Sequence, residues 1–371
     1  MVARRNTGIV FVHSSNEMYG ADRILLQVLE SIPQTRHGDI TVLVPDDVTP
    51  AEHSLVAELE SRSIASRVGP LPIVRRKYLT PRGLIGLLER MRQLDKTLRE
   101  LSAEIVYVST SAGLLAAPIA RARTKAVIIL HVQEIWAGGM GLLMGALSRY
   151  THHVVAISEA SRRSLKLVRS ASVEVILNAV NDPISPRRQP GAANLRFLMA
   201  SRWNSWKGHG TLLHAWKAAN EPGELVIAGG PPELGTAVDV PKLVHDLGIE
   251  SSVRIVGETS DLTGLIDEAH FVLMPSDEPE PFGLVSIEAF ARGRAVIASR
   301  AGGLADIITD KETGRFFERM NADELATVLA ELNATDAVEM GARARSQYES
   351  EYTPERFAER FQQLWTRVGM Q

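Results

Sequence analysis

Residues 270–299, HFVLMPSDEPEPFGLVSIEAFARGRAVIAS, run strand, loop, helix, strand. HFVLMP (270–275) and RAVIAS (294–299) are continuous apolar runs rather than alternating ones, the pattern of parallel strands covered on both faces. Between them Pro281, Phe282 and Gly283 lead into a helix whose Leu284, Ile287 and Ala291 recur at i, i+3 and i+7, and Gly293 is placed to terminate it.

The same alternation extends outward. Upstream lie LRFLMA (195–200), ELVIAG (224–229) and SVRIVG (252–257), again separated by helices. The first half runs its own cycle: GIVFVH (8–13), DITVLV (39–44), EIVYV (104–108), AVIILHV (126–132), HVVAIS (153–158) and VEVIL (173–177). Helices are predicted over 21–32, 82–101 and 159–168. Alternation of this kind predicts an α/β architecture of doubly wound sheets. It breaks at NDPISPRRQPGAAN (181–194), which holds three prolines and a glycine, has no apolar periodicity and reads as a linker. Two Rossmann-like domains are therefore expected, 1–182 and 195–350. TPERFAERFQQLW (353–365) reads as an amphipathic helix with Phe357, Phe361 and Leu364 at helical spacing, and 353–371 is expected to return to the first domain.

Composition is consistent with this. A chain of 371 residues is enough for about two domains. Zero cysteine excludes disulfides, thiolate metal sites and a thiol nucleophile. Net charge −3 argues against a dedicated nucleic-acid binder. That charge is unevenly shared: residues 1–182 carry +5 and the remainder −8. The start, MVARRNTGIVFVHSS, lacks the roughly 7–15 apolar residues of a secretory signal. No stretch approaches the roughly 18 apolar residues of a spanning helix. A cytoplasmic chain is expected, peripheral at the inner face of the plasma membrane if it meets a membrane at all.

Three clusters can carry chemistry. In 277–293 the helix start after Gly283 offers backbone N–H groups suited to phosphate. Glu288 falls within the apolar stripe, where a carboxylate needs a specific partner; a core glutamate paired with an arginine fits as well as a functional one. Glu280 lies in the preceding loop, beyond the carboxyl end of a strand, where α/β sheets place ligands. In RWNSWKG (202–208), Arg202 and Lys207 follow a strand and suit a diphosphate, the guanidinium as a fork and the ammonium as a point charge; alone they read equally as surface charges. In YGADR (19–23), Gly20 opens a helix after the first strand. His131 ends the strand at 126–132. No G-x-G-x-x-G follows the first strand, and no P-loop, H-E-x-x-H or G-x-S-x-G occurs.

Together these positions resemble glycosyltransferase family 4, the large retaining group of the GT-B fold, over nearly the whole chain. EPFGLVSIE (280–288) resembles its Glu-(seven residues)-Glu motif and RWNSWKG its Arg-(four residues)-Lys clamp. VVAISEASRRSL (154–165), VEVILNAVN (173–181) and AGGLADIITDKETGRFF (301–317) resemble flanking segments. YGADR resembles the first-domain glycine turn, with Tyr19 where many members have a second glycine. The resemblance implies two Rossmann-like domains facing a cleft. It implies transfer of a hexose from a UDP- or GDP-linked sugar to a hydroxyl, with retention. Arg202 and Lys207 would neutralise the diphosphate. Glu288 would accept the ribose hydroxyls. Glu280, with the backbone N–H groups of Phe282, Gly283 and Leu284, would hold the donor sugar. Gly20 would admit the diphosphate, His131 would reach the transferred sugar or the acceptor, and Thr259 would lie near the base. No cofactor and no obligatory metal are expected, since no Asp-x-Asp stands at a strand end.

The acceptor is expected to be a glycan or lipid-linked molecule. Residues 75–99 hold eight Lys/Arg against two acidic residues, beside an apolar stripe of Leu84, Leu87, Leu88, Met91 and Leu94. This reads either as an anionic-membrane surface or as an ordinary domain helix. The rival functions are a non-catalytic sugar- or nucleotide-binding module and another GT-B enzyme such as a nucleotide-sugar epimerase.

Overall fold

The computed structural model describes residues 8–47, 54–165, 168, 173–183, 190, 194–232 and 236–370. Most of the expected linker, 181–194, lies outside the described residues. The chain divides into two compact units, Met1–Asn178 with Phe357–Gln371, and Ala179–Arg356.

Unit 1 is built on a seven-stranded parallel sheet: β1 (Gly8–Val12), β2 (Ile40–Pro45), β3 (Ala65–Gly69), β4 (Ala103–Val108), β5 (Val127–Val132), β6 (His153–Ala156) and β7 (Val173–Val175). Their order is β3-β2-β1-β4-β5-β6-β7, with Val12 in register with both Leu43 and Val108. The helices are α1 (Gly20–Glu30), α2 (Leu55–Ser61), α3 (Pro81–Glu100), α4 (Ala116–Arg123), α5 (Gly138–Ser148) and α6 (Glu159–Ser164). Apolar runs make this sheet because both of its faces are covered: Ile9, Val10, Phe11 and Val12 are all fully buried. Local sequence sets the helix ends. Thr80 Oγ1 accepts from the Gly83 N–H and Pro81 occupies the first turn of α3.

Unit 2 carries β8 (Arg196–Ala200), β9 (Glu224–Ala228), β10 (Val253–Gly257), β11 (Phe271–Met274), β12 (Ala295–Ser299) and β13 (Gly314–Phe317), ordered β10-β9-β8-β11-β12-β13 and wholly parallel. Its helices are α7 (His209–Ala218), α8 (Val240–Leu247), α9 (Leu262–Glu268), α10 (Leu284–Ala291), α11 (Leu304–Ile307), α12 (Ala322–Glu331) and α13 (Ala334–Glu351). The buried Arg292 guanidinium forks onto Asp267 at 2.8 and 2.6 Å, tying the end of α10 to α9.

The last helix, α14 (Pro354–Arg367), buries Phe357, Phe361, Leu364 and Trp365. Phe361 lies edge-on to His131 and Trp365 packs on Tyr107, while Trp365 Nε1 donates to Ser31 Oγ at 2.9 Å.

Two strands, β3 and β13, exceed the sequence expectation. One expected helix is shorter: α6 stops at Ser164, where Leu165 leaves helical geometry with ψ +37°. Among the described residues no helix is long and apolar enough to cross a membrane.

Candidate functional site

In each sheet the strand order reverses once, between β1 and β4 in unit 1 and between β8 and β11 in unit 2. Open α/β sheets bind ligands at such points, beyond the carboxyl ends of the strands.

In unit 2 the loops after β8 and β11 clasp each other. The Asp277 N–H donates to Trp206 O at 2.8 Å, and Thr211 Oγ1 donates to Asp277 Oδ1 at 2.8 Å. Burial pushes the Asp277 carboxyl above its ordinary value. The clasp requires Gly208. Its φ is +79°, and a Cβ there would lie 1.8 Å from Pro275 O, so no other residue fits between Lys207 and α7.

The clasp brings Lys207 to Glu280. Lys207 Nζ donates to Glu280 Oε1 at 2.5 Å and sits 4.1 Å from the centroid of the Trp206 ring. Ser276 Oγ donates to the same Oε1 at 2.8 Å. Glu280 is itself buried, and its backbone is held by the Gly303 N–H at 2.7 Å. A Cβ on Gly302, where φ is +61°, would come within 2.1 Å of Glu280 O. Phe282 is buried, and Gly283, at φ +100°, opens α10. Leu284 and Glu288 are half-buried one turn apart on that helix. Arg202 is exposed just beyond β8, on the same sheet edge.

Thr259 is not gathered into this group. It is exposed after the edge strand β10, where Oγ1 accepts from the Asp261 N–H at 3.0 Å. Two strand spacings, roughly 10 Å, separate β10 from β8.

In unit 1, Gly20 is the first residue of α1, and sequence reasoning missed what holds it. His13 is fully buried, with Nε2 3.0 Å from Asp22 Oδ1 and Nδ1 2.6 Å from Ser109 Oγ. Ser15 Oγ donates to Asp22 Oδ1 at 2.6 Å, and the Tyr19 N–H donates to Asp22 Oδ2 at 3.2 Å. The acidic side chain in the first helical turn was the visible signal. His209 was also overlooked. It is wholly buried at the start of α7, and burial first, then the Lys207 charge, lowers its pKa to about 4.

The reading of His131 is corrected. Its side chain is 0% exposed, Nδ1 shares a 2.9 Å hydrogen bond with the Tyr107 hydroxyl, and Phe361 of α14 covers the ring. Burial lowers its pKa to about 3. It is a neutral core histidine on the face of β5 that α14 closes, not a residue that reaches a sugar.

The stripe on α3 divides. Leu94 and Leu98 are buried, whereas Leu84, Ile85 and Leu88 are 50%, 70% and 56% exposed. Part of the surrounding positive charge is neutralised locally: Lys77 pairs with Asp47 at 2.7 Å and Arg90 with Asp46 at 2.6 Å.

Comparison with known proteins adds to this geometry. The family model described as Glycosyl transferases group 1 matches residues 186–347, and that described as Glycosyltransferase Family 4 matches 19–182. The chain is 30% identical over 288 residues to a GDP-mannose-dependent alpha-(1-6)-phosphatidylinositol monomannoside mannosyltransferase of Mycobacterium tuberculosis, covering 69% of this chain and 73% of that one. It is 36% identical over 134 residues to the D-inositol 3-phosphate glycosyltransferase of Mycolicibacterium paratuberculosis, covering 35% of this chain and 30% of that one. Matches to the first such curated relatives thus span about a third of their length, 28–35%. Among solved structures, Anabaena HepE in complex with UDP and glucose superposes with TM-score 0.79 at 20% identity, over 97% of this chain and 99% of that one. At that identity the likeness speaks for the fold, which is GT-B: two α/β units, each on a parallel sheet.

Proposed function

The chain belongs to glycosyltransferase family 4, and on that premise we propose that it transfers a hexose from a UDP- or GDP-linked sugar to a hydroxyl of a glycan or lipid-linked acceptor, with retention at the anomeric carbon. The observation that carries this reading is the Lys207–Glu280 pair at the switch point of unit 2. An ammonium held 2.5 Å from a buried carboxylate is a positive charge fixed in place before any ligand arrives. Such preorganised charge stabilises a departing diphosphate without reorganisation during the reaction.

Arg202 and Lys207 take the diphosphate. Glu280 and the backbone N–H groups of Phe282, Gly283 and Leu284 hold the donor sugar, Glu288 the ribose, and Thr259 the base; Gly20 stays among the proposed donor residues. With His131 removed from the site, the leaving phosphate itself is the group we assign to accept the acceptor's proton. Glu280 is assigned to binding and not to nucleophilic attack; Lys207 and Ser276 both donate to its Oε1 and fix the carboxylate in place. Arg202 and Lys207 are the cations assigned to the diphosphate, and the reading calls for no obligatory metal.

We also propose peripheral work at the inner face of the plasma membrane. The exposed Leu84, Ile85 and Leu88 in the basic segment support this.

Release of nucleoside diphosphate from a panel of UDP-, GDP- and ADP-sugars tests the reaction. Lys207→Ala and Glu280→Ala are each expected to lower transfer at least about tenfold, or ~1.4 kcal/mol of transition-state stabilisation. Normal turnover in both variants would overturn the assignment.

A further inference from the structure

Unit 1 carries a second polar constellation at its sheet edge, formed by the loops that follow β4 and β5. Trp136 Nε1 donates to Ser111 Oγ at 2.8 Å, and that hydroxyl donates onward to Glu134 Oε2 at 2.6 Å. The backbone N–H groups of Gln133 and Ser111 reach the same oxygen at 3.2 and 3.4 Å. Gln133 Nε2 donates to Ser109 O at 2.9 Å, which joins the network to the strand beside the switch point. One seryl hydroxyl therefore fixes both an indole and a carboxylate.

Three features indicate that the constellation does more than hold a loop. First, the three bonds from Ser111 Oγ, the Ser111 N–H and the Gln133 N–H all converge on Oε2, which fixes the orientation of the carboxyl and of Oε1 with it. Second, burial pushes the Glu134 carboxyl above its ordinary value, against the pull of its hydrogen bonds. A carboxyl thus sits where its charge is costly, although a glutamine of the same shape would accept the Ser111 and Gln133 bonds without that cost. Third, the chain that follows Trp136 is open: a Cβ built on the exposed Gly138 or Gly139 meets no atom within 4 Å. A half-buried indole and a carboxyl tied to the same seryl hydroxyl are the composition of a site for a ring with hydroxyl groups.

We propose that Glu134 recognises the acceptor: Oε1 accepts the hydroxyl hydrogen of a sugar ring whose apolar face lies on Trp136. The proposal rests on the glycosyl-transfer reading above, and it concerns residues outside the donor set. An O–H donor to a carboxylate makes a short, charge-assisted bond, stronger than one to a neutral amide.

The test measures nucleoside diphosphate release with and without octyl α-glucoside, octyl α-mannoside or octyl β-galactoside. The glycoside that most accelerates the wild type is then titrated against Glu134→Gln and Trp136→Ala. Acceptor kcat/KM is expected to fall about tenfold or more in each, through KM, while acceptor-free release stays within about twofold of wild type. A loop-support role would lower both rates together, and that result overturns the proposal. So does a wild-type acceptor KM in Glu134→Gln, or a wild type that releases diphosphate but is accelerated by none of the glycosides. A wild type that releases no diphosphate from any donor refutes the transfer reading itself, and this inference with it. Should Glu134→Gln fail to fold, Trp136→Ala carries the same test.

Discussion

Lys207→Met is expected to destabilise unit 2 more than Glu280→Gln, although both variants should lose transfer. The two side chains of the pair differ in burial, 20% exposed for Lys207 and 7% for Glu280. Removing the ammonium strands a buried carboxylate with Ser276 Oγ as its remaining partner in the pair's network. Breaking a buried ion pair from one side costs ~3–5 kcal/mol, and partial solvation of this lysine reduces that to ~2–3 kcal/mol. Removing the negative charge is milder. The glutamine carbonyl still accepts from Lys207 and Ser276, and the ammonium keeps its contact with water, so the cost is ~1 kcal/mol or less. The difference, ~1–2 kcal/mol, corresponds to roughly 2–8 °C in Tm for a unit of this size. Calorimetric melts of the full chain without donor would measure it. The double variant should be more stable than Lys207→Met alone, because no carboxylate is stranded, while its transfer rate stays low. A Glu280→Gln protein that melts at or below Lys207→Met, or a double variant whose losses simply add, would refute the reasoning.

Further outcomes are expected. Because His131 is held neutral with a pKa near 3, the unfolded chain takes up its proton first, and stability falls as pH drops from about 6.5 toward 3. By pH 5 this amounts to ~2 kcal/mol, and His131→Phe should show a correspondingly shallower decline in urea melts between pH 7 and 5. Gly208→Ala should cost several kcal/mol and release Lys207 from Glu280, since its Cβ would lie 1.8 Å from Pro275 O; a crystal structure with an unmoved loop and normal stability would contradict this. Leu84→Glu with Leu88→Glu should abolish sedimentation with anionic liposomes at low salt and leave melting unchanged; equal sedimentation of variant and wild type removes the membrane assignment. EDTA should leave donor turnover unaltered, measured as nucleoside diphosphate release.

The long apolar runs made the central strands legible, because burial on both faces writes itself into consecutive residues. Strand β3, ASRVG, was not legible: it lies at the sheet edge, largely in water, and needs no apolar run. Strand β13, GRFF, is too short to signal itself and forms because β12 presents it a ladder. Within the site, Glu280 and Lys207 stood out only through the family pattern. The Asp277–Thr211 clasp and the His13–Asp22 pair depend on loops meeting in space, which no local period records. His131 shows the limit most clearly. Its place at a strand end was readable, but the face it points to was not. Ile128, Leu130 and Val132 fill one core cluster of unit 1, and His131 turns the other way, toward a helix from the far end of the chain.

That distant helix has a consequence for how the protein is made. Tyr107 and His131 leave the ribosome long before Phe361 and Trp365, with all of unit 2 translated in between. Until then the part of the nascent first sheet that these side chains cover, around Tyr107 and His131, stays open. Four buried side chains, each worth ~1.5–3 kcal/mol, arrive last to seal it. The N-terminal unit must therefore wait, sticky and incomplete, through most of translation. A gene cut neatly between its two sheets would encode a first half that never finishes folding unless the closing helix is supplied to it as a separate peptide.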